Sequence, residues 1–441
     1  MSVLQHDLEK RTVSKITKRI IPFLFLLYIV AYLDRANIGY AALEMNKSLG
    51  LTSEAFGLVS GIFFIGYFLF EVPSNVLLQR FGARKWIARI LVTWGLIGSL
   101  TGFVQNEYQL YILRFLLGVA EAGFFPGIIL YLTYWYRGKD LAKTISLFMT
   151  AIAASFIIGA PLSGWIMDNV QLFKLEGWRW MFILEGLPAV FLGFVTLAYL
   201  PDRPRDAKWL AAEEKKWIQD ELDKEATNKI TSKHHSMKEA FRNPKIWLLS
   251  LVYFLYITGG LGIGFWMPQI IKGLSNVLTN TQVGLITMVP YIVAAVVMNI
   301  WGRRSDRKGE RFFHAALPLV VAAVALFGIG LGSNPFTSIG LIIIALSALN
   351  SFNGPYWALP PHFLKGSTAA VGIAFINSMG NLGGFLGPYL MGALKSATGG
   401  VSVGLYVLSG CMLVACLLLL WMRKKYVGKE GNMYENPLSP K

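Results

Sequence analysis

Twelve long apolar segments leave this chain few ways to fold. They run Ile20–Leu43, Phe56–Leu78, Trp86–Val104, Tyr108–Tyr134, Ile145–Met167 and Trp178–Leu200, then Ile246–Ile271, Val283–Trp301, Ala315–Leu331, Ile339–Leu359, Ala369–Leu394 and Val403–Met422. A hydrocarbon core ~30 Å thick is crossed by a helix of about 17–25 residues. Strands of a membrane barrel need only about ten alternating residues, so these lengths exclude a barrel. The expected fold is an all-α integral membrane protein with twelve transmembrane helices in two six-helix bundles. Composition agrees: 54% of the 441 residues are hydrophobic and 15% charged, so a soluble globule would leave large apolar faces in water.

Charge sets the expected orientation. The basic stretches RFGARK (Arg80–Lys85), YRGKDLAK (Tyr136–Lys143), GRRSDRKGER (Gly302–Arg311) and RKK (Arg423–Lys425) fall in alternate gaps, on the same side as the charged N-terminal segment. Positive loops face the cytoplasm, which places both termini there. The net charge of +16 is then a consequence of topology and gives no reason to expect nucleic-acid binding. The first twenty residues lack the apolar core and small-residue cleavage site of a secretory signal. Cys411 and Cys416 lie in the last span without metal or redox spacing and read as packing residues.

One polar interruption divides the chain into residues 1–200, a six-helix bundle; 201–243, a cytoplasmic linker; and 244–441, a second bundle with a cytoplasmic tail. Within the linker, Leu210, Trp217, Ile218 and Leu222 fall on one helical face, as in an interfacial amphipathic helix. The halves repeat each other: Arg80 and Arg307 are 227 residues apart, and so are Pro161 and Pro388. Such duplication accompanies a central site between two bundles. Gly57 with Gly61, and Gly380 with Gly384, have the four-residue spacing that lets helices approach closely.

Charges inside the spans mark the candidate site, because an intramembrane ion is costly and functional by default. Asp34 and Arg35 stand side by side in the first span. Neighbours on a helix point about 100° apart, so each requires its own partner. Counting from Ile20, Asp34 lies about 21 Å along the first span; Arg114, counted from Tyr108 on a span running the other way, lies about 9 Å in, at a matching level. Glu121 is two turns beyond Arg114 on nearly the same face. Arg35 and Arg114 are therefore candidate anchors for an anion, and Asp34 and Glu121 candidate proton carriers. The structural alternative is a salt-bridge network that only orders the first bundle. Glu71 and Glu185 are expected to be such structural partners. The second half carries neutral candidates instead: Asn350, Asn353, Trp357, Asn377 and Asn381.

The basic loops resemble the loop signature of the major facilitator superfamily, more closely in GRRSDRKGER than in the first copy, which has Asn75 and Gln79 where Gly and Asp are usual. More specifically, YLDRANIGYAA, FEVPSNVLLQRFGARKWI, RFLLGVAEAGFFPGIILYLTYWY and GWRWMFILEGLPAVFLG resemble the anion:cation symporter family of bacterial organic-acid permeases, which includes tartrate, aldonate and aromatic-acid transporters. That resemblance covers almost the whole chain. It implies that Tyr32, Tyr67, Trp357 and Asn377 line the substrate chamber together with the two arginines.

The expected function is proton-driven import of a small organic hydroxycarboxylate, such as tartrate or a sugar acid, by alternating access. The expected setting is a bacterial inner membrane and a functional monomer, with no cofactor beyond the coupling proton. Anion exchange is the alternative, and a transporter-like sensor a further one. Nucleotide-binding, metalloprotease and paired-cysteine motifs are absent, so no enzyme is expected.

Overall fold

A computed structural model describes residues 3–230, 242–275, 277–332, 334–364 and 367–427. The linker residues 231–241 and the tail beyond 427 lie outside the described residues. Among the described residues there is no β-strand. The helices are α1 (Val3–Ser48), α2 (Ser53–Phe81), α3 (Ala83–Leu100), α4 (Glu107–Glu121), α5 (Phe124–Thr133), α6 (Gly138–Asn169), α7 (Gly177–Tyr199), α8 (Ala212–Ile230), α9 (Pro244–Gly273), α10 (Asn280–Lys308), α11 (Phe312–Gly330), α12 (Pro335–Trp357), α13 (Pro360–Phe363), α14 (Ser367–Thr398) and α15 (Ser402–Met422). Among the described residues, eleven helical stretches are long and apolar enough to cross a membrane, making this a multi-pass membrane protein. The remaining expected span, Ala369–Leu394, lies within the 32-residue α14.

The fourth expected span, Tyr108–Tyr134, is two helices rather than one. Pro126 lacks an N–H, and its ring crowds the carbonyl four residues back, that of Ala122. The chain opens there: Ala122 takes an extended ψ of 131° and Gly123 a left-handed φ of 84°, after which α5 begins. Prolines inside α1, α2, α6 and α7 leave those helices continuous. Neighbouring helices can satisfy the freed groups in such cases.

The chain forms two compact units. One comprises Met1–Asn37, Gly66–Phe156 and Gln171–Lys233; the other comprises Ile38–Ile65, Ile157–Val170 and His234–Lys441. In the first, α3 lies along α7 so closely that a Cβ on Gly95 would stand 2.7 Å from the Gly186 carbonyl oxygen. In the second, α9 and α14 meet at Gly387, where a Cβ would stand 2.1 Å from the Thr258 carbonyl. Without a hydrophobic drive between helices in lipid, such backbone contact is how packing is gained.

The second unit also holds the end of α1, the start of α2 and the end of α6. Gly57 packs against Pro388, and Gly284 against Ala160. Asp168, at the end of α6, accepts from Asn280 N at 3.2 Å, Thr281 N at 2.7 Å and Thr281 Oγ1 at 2.6 Å. The two backbone N–H groups are free donors at the start of α10, where a negative charge is favoured. Asn280 Nδ2 donates in turn to Glu44 Oε1 at 2.6 Å.

Helix α8 is docked on protein. Ile218 is fully buried, and the Arg137 guanidinium lies 4.8 Å over the Trp217 ring. Arg137 also pairs with Glu9 at 2.8 Å and Glu221 at 3.4 Å, and Lys15 pairs with Glu214 at 2.9 Å. Leu210 falls before the helix, because the Glu214 carboxylate accepts the Ala211 N–H at 2.8 Å and starts α8 at Ala212.

Candidate functional site

Asp34 and Arg35 turn to different partners. Asp34 is 1% exposed. Its carboxylate accepts from Trp94 Nε1 and, at 2.9 Å, from Asn37 Nδ2. Gly98, one turn beyond Trp94 on α3, makes room for it: a Cβ there would lie 2.8 Å from Asp34 Oδ2. Two neutral donors and a glycine wall therefore enclose this carboxylate, and its opposite charge is Arg114.

Arg35 pairs with Glu121, to which its Nη2 donates. Its side chain is 20% exposed, whereas that of Glu121 is 3% exposed. The guanidinium lies 5.1 Å over the Tyr32 ring and 5.4 Å over the Tyr67 ring. Tyr32 is itself held edge-on by Tyr28 at 5.0 Å and Phe156 at 6.0 Å. A cation between aromatic faces keeps its charge stabilised while one edge stays accessible.

Arg114 is fully buried on α4 and interacts electrostatically with Asp34, Glu121 and Arg35. Glu121 likewise feels Arg35, Asp34 and Arg114. Six of the expected residues, Tyr32, Asp34, Arg35, Tyr67, Arg114 and Glu121, thus gather within the first unit. Two buried acids, the buried Arg114 and the partly exposed Arg35 balance each other, which is the condition for keeping ions out of water.

The helix break stands directly behind this cluster. Glu121 is the last residue of α4, so its backbone is fixed by how that end is finished. Arg89 of α3 donates to the Ala120 carbonyl at 3.4 Å and stacks 4.2 Å over Trp86. Arg89 was not among the expected site residues, although a charge within the apolar Trp86–Val104 segment was a signal that could have raised it. Trp94 and Gly98, the cradle of Asp34, carried no signal beyond ordinary helix packing.

Trp357 and Asn377 belong to the second unit and are partly exposed. The Trp357 indole meets Tyr253 edge-on at 4.9 Å. Asn353 Nδ2 donates to Tyr256 OH at 2.7 Å, and that hydroxyl donates to the Leu349 carbonyl at 3.0 Å. Asn350 is turned back to the Leu346 carbonyl at 2.8 Å. Of the two acids set aside as structural, Glu71 and Glu185 are both buried, and Glu71 interacts with Tyr67.

Many spanning helices, with a charge-balanced cluster inside the first unit, define a polytopic membrane protein with a polar interior. The sequence profile of the Major Facilitator Superfamily matches residues 24–388. A relative from Agrobacterium vitis named "Putative tartrate transporter" is 48% identical over 423 residues, covering 95% of this chain and 92% of the relative. A "Quinolone resistance transporter" of Acinetobacter baumannii is 40% identical over 412 residues, covering 93% and 95%. Among solved structures, a bacterial homologue of the human lysosomal transporter Spinster, in an inward-facing and occupied conformation, has a TM-score of 0.77 at 15% identity, covering 93% of this chain and 97% of that one. At that identity the likeness speaks for the fold. The chain belongs to the Major Facilitator Superfamily and is a transporter, not an enzyme.

Proposed function

We propose that the protein imports a small organic hydroxycarboxylate by proton symport and alternating access, as a monomer in a bacterial inner membrane with both termini cytoplasmic. The observation that carries this reading is the Arg35–Glu121 pair, in which the cation is the accessible member. An incoming carboxylate competes with Glu121 for the guanidinium, whose paired donors match a carboxylate. Glu121, released from its counter-ion in a dry interior, takes a proton, so binding and protonation are linked. Tyr32 and Tyr67 flank the bound carboxylate. Arg114 anchors the negative end from within the cluster and balances Asp34, the second proton carrier. Trp357 and Asn377 are proposed to recognise hydroxyl groups. The tartrate-related name of the Agrobacterium relative supports the substrate class.

Purified protein in proteoliposomes tests this. An inward proton gradient is expected to drive accumulation of an organic hydroxy acid, with tartrate as the first probe. Glu121→Gln is expected to keep counterflow exchange while losing that accumulation. Transport that requires internal counter-substrate and ignores the proton gradient would make the protein an exchanger, and binding without movement would make it a sensor.

A further inference from the structure

We propose that Arg89 is a positioning residue for Glu121: with Trp86 and Ser74 it braces the broken end of α4 and so aims the Glu121 carboxylate at Arg35. This rests on the coupling role proposed above for Glu121.

The break leaves the last carbonyls of α4 short of helical donors, and Pro126 removes one more N–H that could have reached back. Arg89 supplies a donor where it is needed, at the Ala120 carbonyl, 3.4 Å away and one residue before Glu121. Its charge also suits a helix C-terminus, where the aligned peptide dipoles present negative potential. Among the described residues Arg89 has no carboxylate within ion-pair distance. An arginine inside a span therefore spends its charge on a backbone end, not on an acid.

The brace closes through side chains on both flanks. The Arg89 guanidinium rests 4.2 Å over the Trp86 ring, and Trp86 stacks on Phe81 at 5.7 Å. Trp86 Nε1 donates to Ser74 Oγ at 3.0 Å. Ser74 in turn abuts the break: a Cβ on Gly123 would fall 2.4 Å from Ser74 Oγ. Residues 120 and 123 are thus held from α3 and α2, on either side of the point where α4 stops. Glu121 lies between them, and its direction toward Arg35 follows from theirs.

The test uses the full chain in proteoliposomes with tartrate, and compares Arg89→Gln with Arg89→Lys. Arg89→Gln is expected to lower proton-driven accumulation by about tenfold or more, the worth of one charge-assisted hydrogen bond. Counterflow is expected to stay within about threefold of wild type, since Arg35 remains (~0.7 kcal/mol at most). Arg89→Lys, which still donates to a carbonyl, should recover most of the accumulation. Equal losses in accumulation, counterflow and thermal stability in both variants would reduce Arg89 to a fold residue and overturn the proposal.

A second readout does not depend on coupling: modification of Glu121 by a hydrophobic carbodiimide, followed by mass spectrometry. A loosened pair should label at least about three times faster in Arg89→Gln than in wild type. An unchanged labelling rate overturns the brace even if wild type proves to be an exchanger. Wild type without proton-driven uptake but with faster labelling of the variant would instead sink the coupling role and leave the brace standing.

Discussion

Replacing Gly123 by alanine probes the break in the fourth span, and the cost can be worked from the geometry. Gly123 has φ 84° and ψ 0°, where a residue with a Cβ is disfavoured by about 1–2 kcal/mol. The added methyl would stand 2.4 Å from Ser74 Oγ and 2.7 Å from Ser74 Cβ. Carbon contacts prefer about 3.5–4.0 Å, so the break or α2 must shift by about 1 Å, and overpacking of that kind costs about 1–3 kcal/mol. Gly123→Ala should therefore destabilise the protein by about 2–5 kcal/mol. Adding Ser74→Gly removes the clash but not the backbone cost, and deletes the acceptor for Trp86, worth about 0.5–1.5 kcal/mol. The double variant should thus be less stable than wild type but show a favourable coupling between the two sites. Unfolding in mixed micelles, followed by tryptophan fluorescence, measures all three variants. A single Gly123→Ala variant within about 0.5 kcal/mol of wild type would mean that the chain is not locked in this left-handed turn.

Trp94→Phe keeps a ring but removes the indole donor to Asp34, and should cost about 1.5–3 kcal/mol in the same unfolding assay; unchanged stability would show that the Asp34 enclosure is not maintained by this bond. Arg114→Lys retains the charge but loses the planar donor fork, and should weaken tartrate binding by about tenfold or more in calorimetry; near-normal affinity would remove Arg114 from the anchoring role. Docking of α8 should be insensitive to pH near neutrality. Burial pushes Glu214 up, but the Ala211 N–H and Lys15 outweigh it and hold the group below its ordinary value. Glu221 is likewise held low, chiefly by Lys224, with burial opposing and Arg137 adding. Carboxylates with depressed values stabilise above the unfolded value of about 4.3 and lose that contribution as pH falls through the lower folded value. Protease cleavage within α8 should therefore be flat from about pH 8 to 5 and rise only below about pH 4; a rise near pH 6 would contradict these pairings.

Hydropathy read the spans well because crossing a membrane is a one-dimensional constraint: enough apolar residues in a row. It missed the break because Ala122, Gly123, Phe124, Phe125 and Pro126 offer no polar residue, and the relevant signal was steric, a proline four residues after the carbonyl it displaces. For the site, spacing along one helix could separate Asp34 from Arg35 and align Arg114 with Glu121. It could not state that Arg35 of α1 reaches Glu121 of α4, since which helices face each other is a tertiary fact. Trp94 and Gly98 share a face of α3 at a spacing of four, a pattern shared by any packed helix. Leu210 shows the converse failure: its periodicity matched α8, yet the Glu214 carboxylate caps the chain after it and excludes it from the helix.

The four charges of the Asp34, Arg35, Arg114 and Glu121 cluster also constrain how many protons accompany a substrate. Arg114 and Glu121 each interact with the other and with both Asp34 and Arg35, and the four formal charges sum to zero. A net charge in such a dry interior is expensive, whereas a balanced set is tolerated. On the proposed function, adding a monoanion leaves one excess negative charge, and one proton on Glu121 restores balance. Glu121 is first in line because its partner, Arg35, is the accessible cation that substrate can claim. A dianion leaves two excess charges, and the second proton falls to Asp34, whose counter-ion Arg114 is then free to face the anion. Proton number should therefore track substrate charge, and loading should be electroneutral in both cases. Uptake of a sugar-acid monoanion and of tartrate under a clamped membrane potential distinguishes this from a fixed stoichiometry. With fixed proton number, one of the two substrates must respond to the potential; with charge balance as the governing condition, neither does, and Asp34→Asn impairs tartrate uptake more than monoanion uptake.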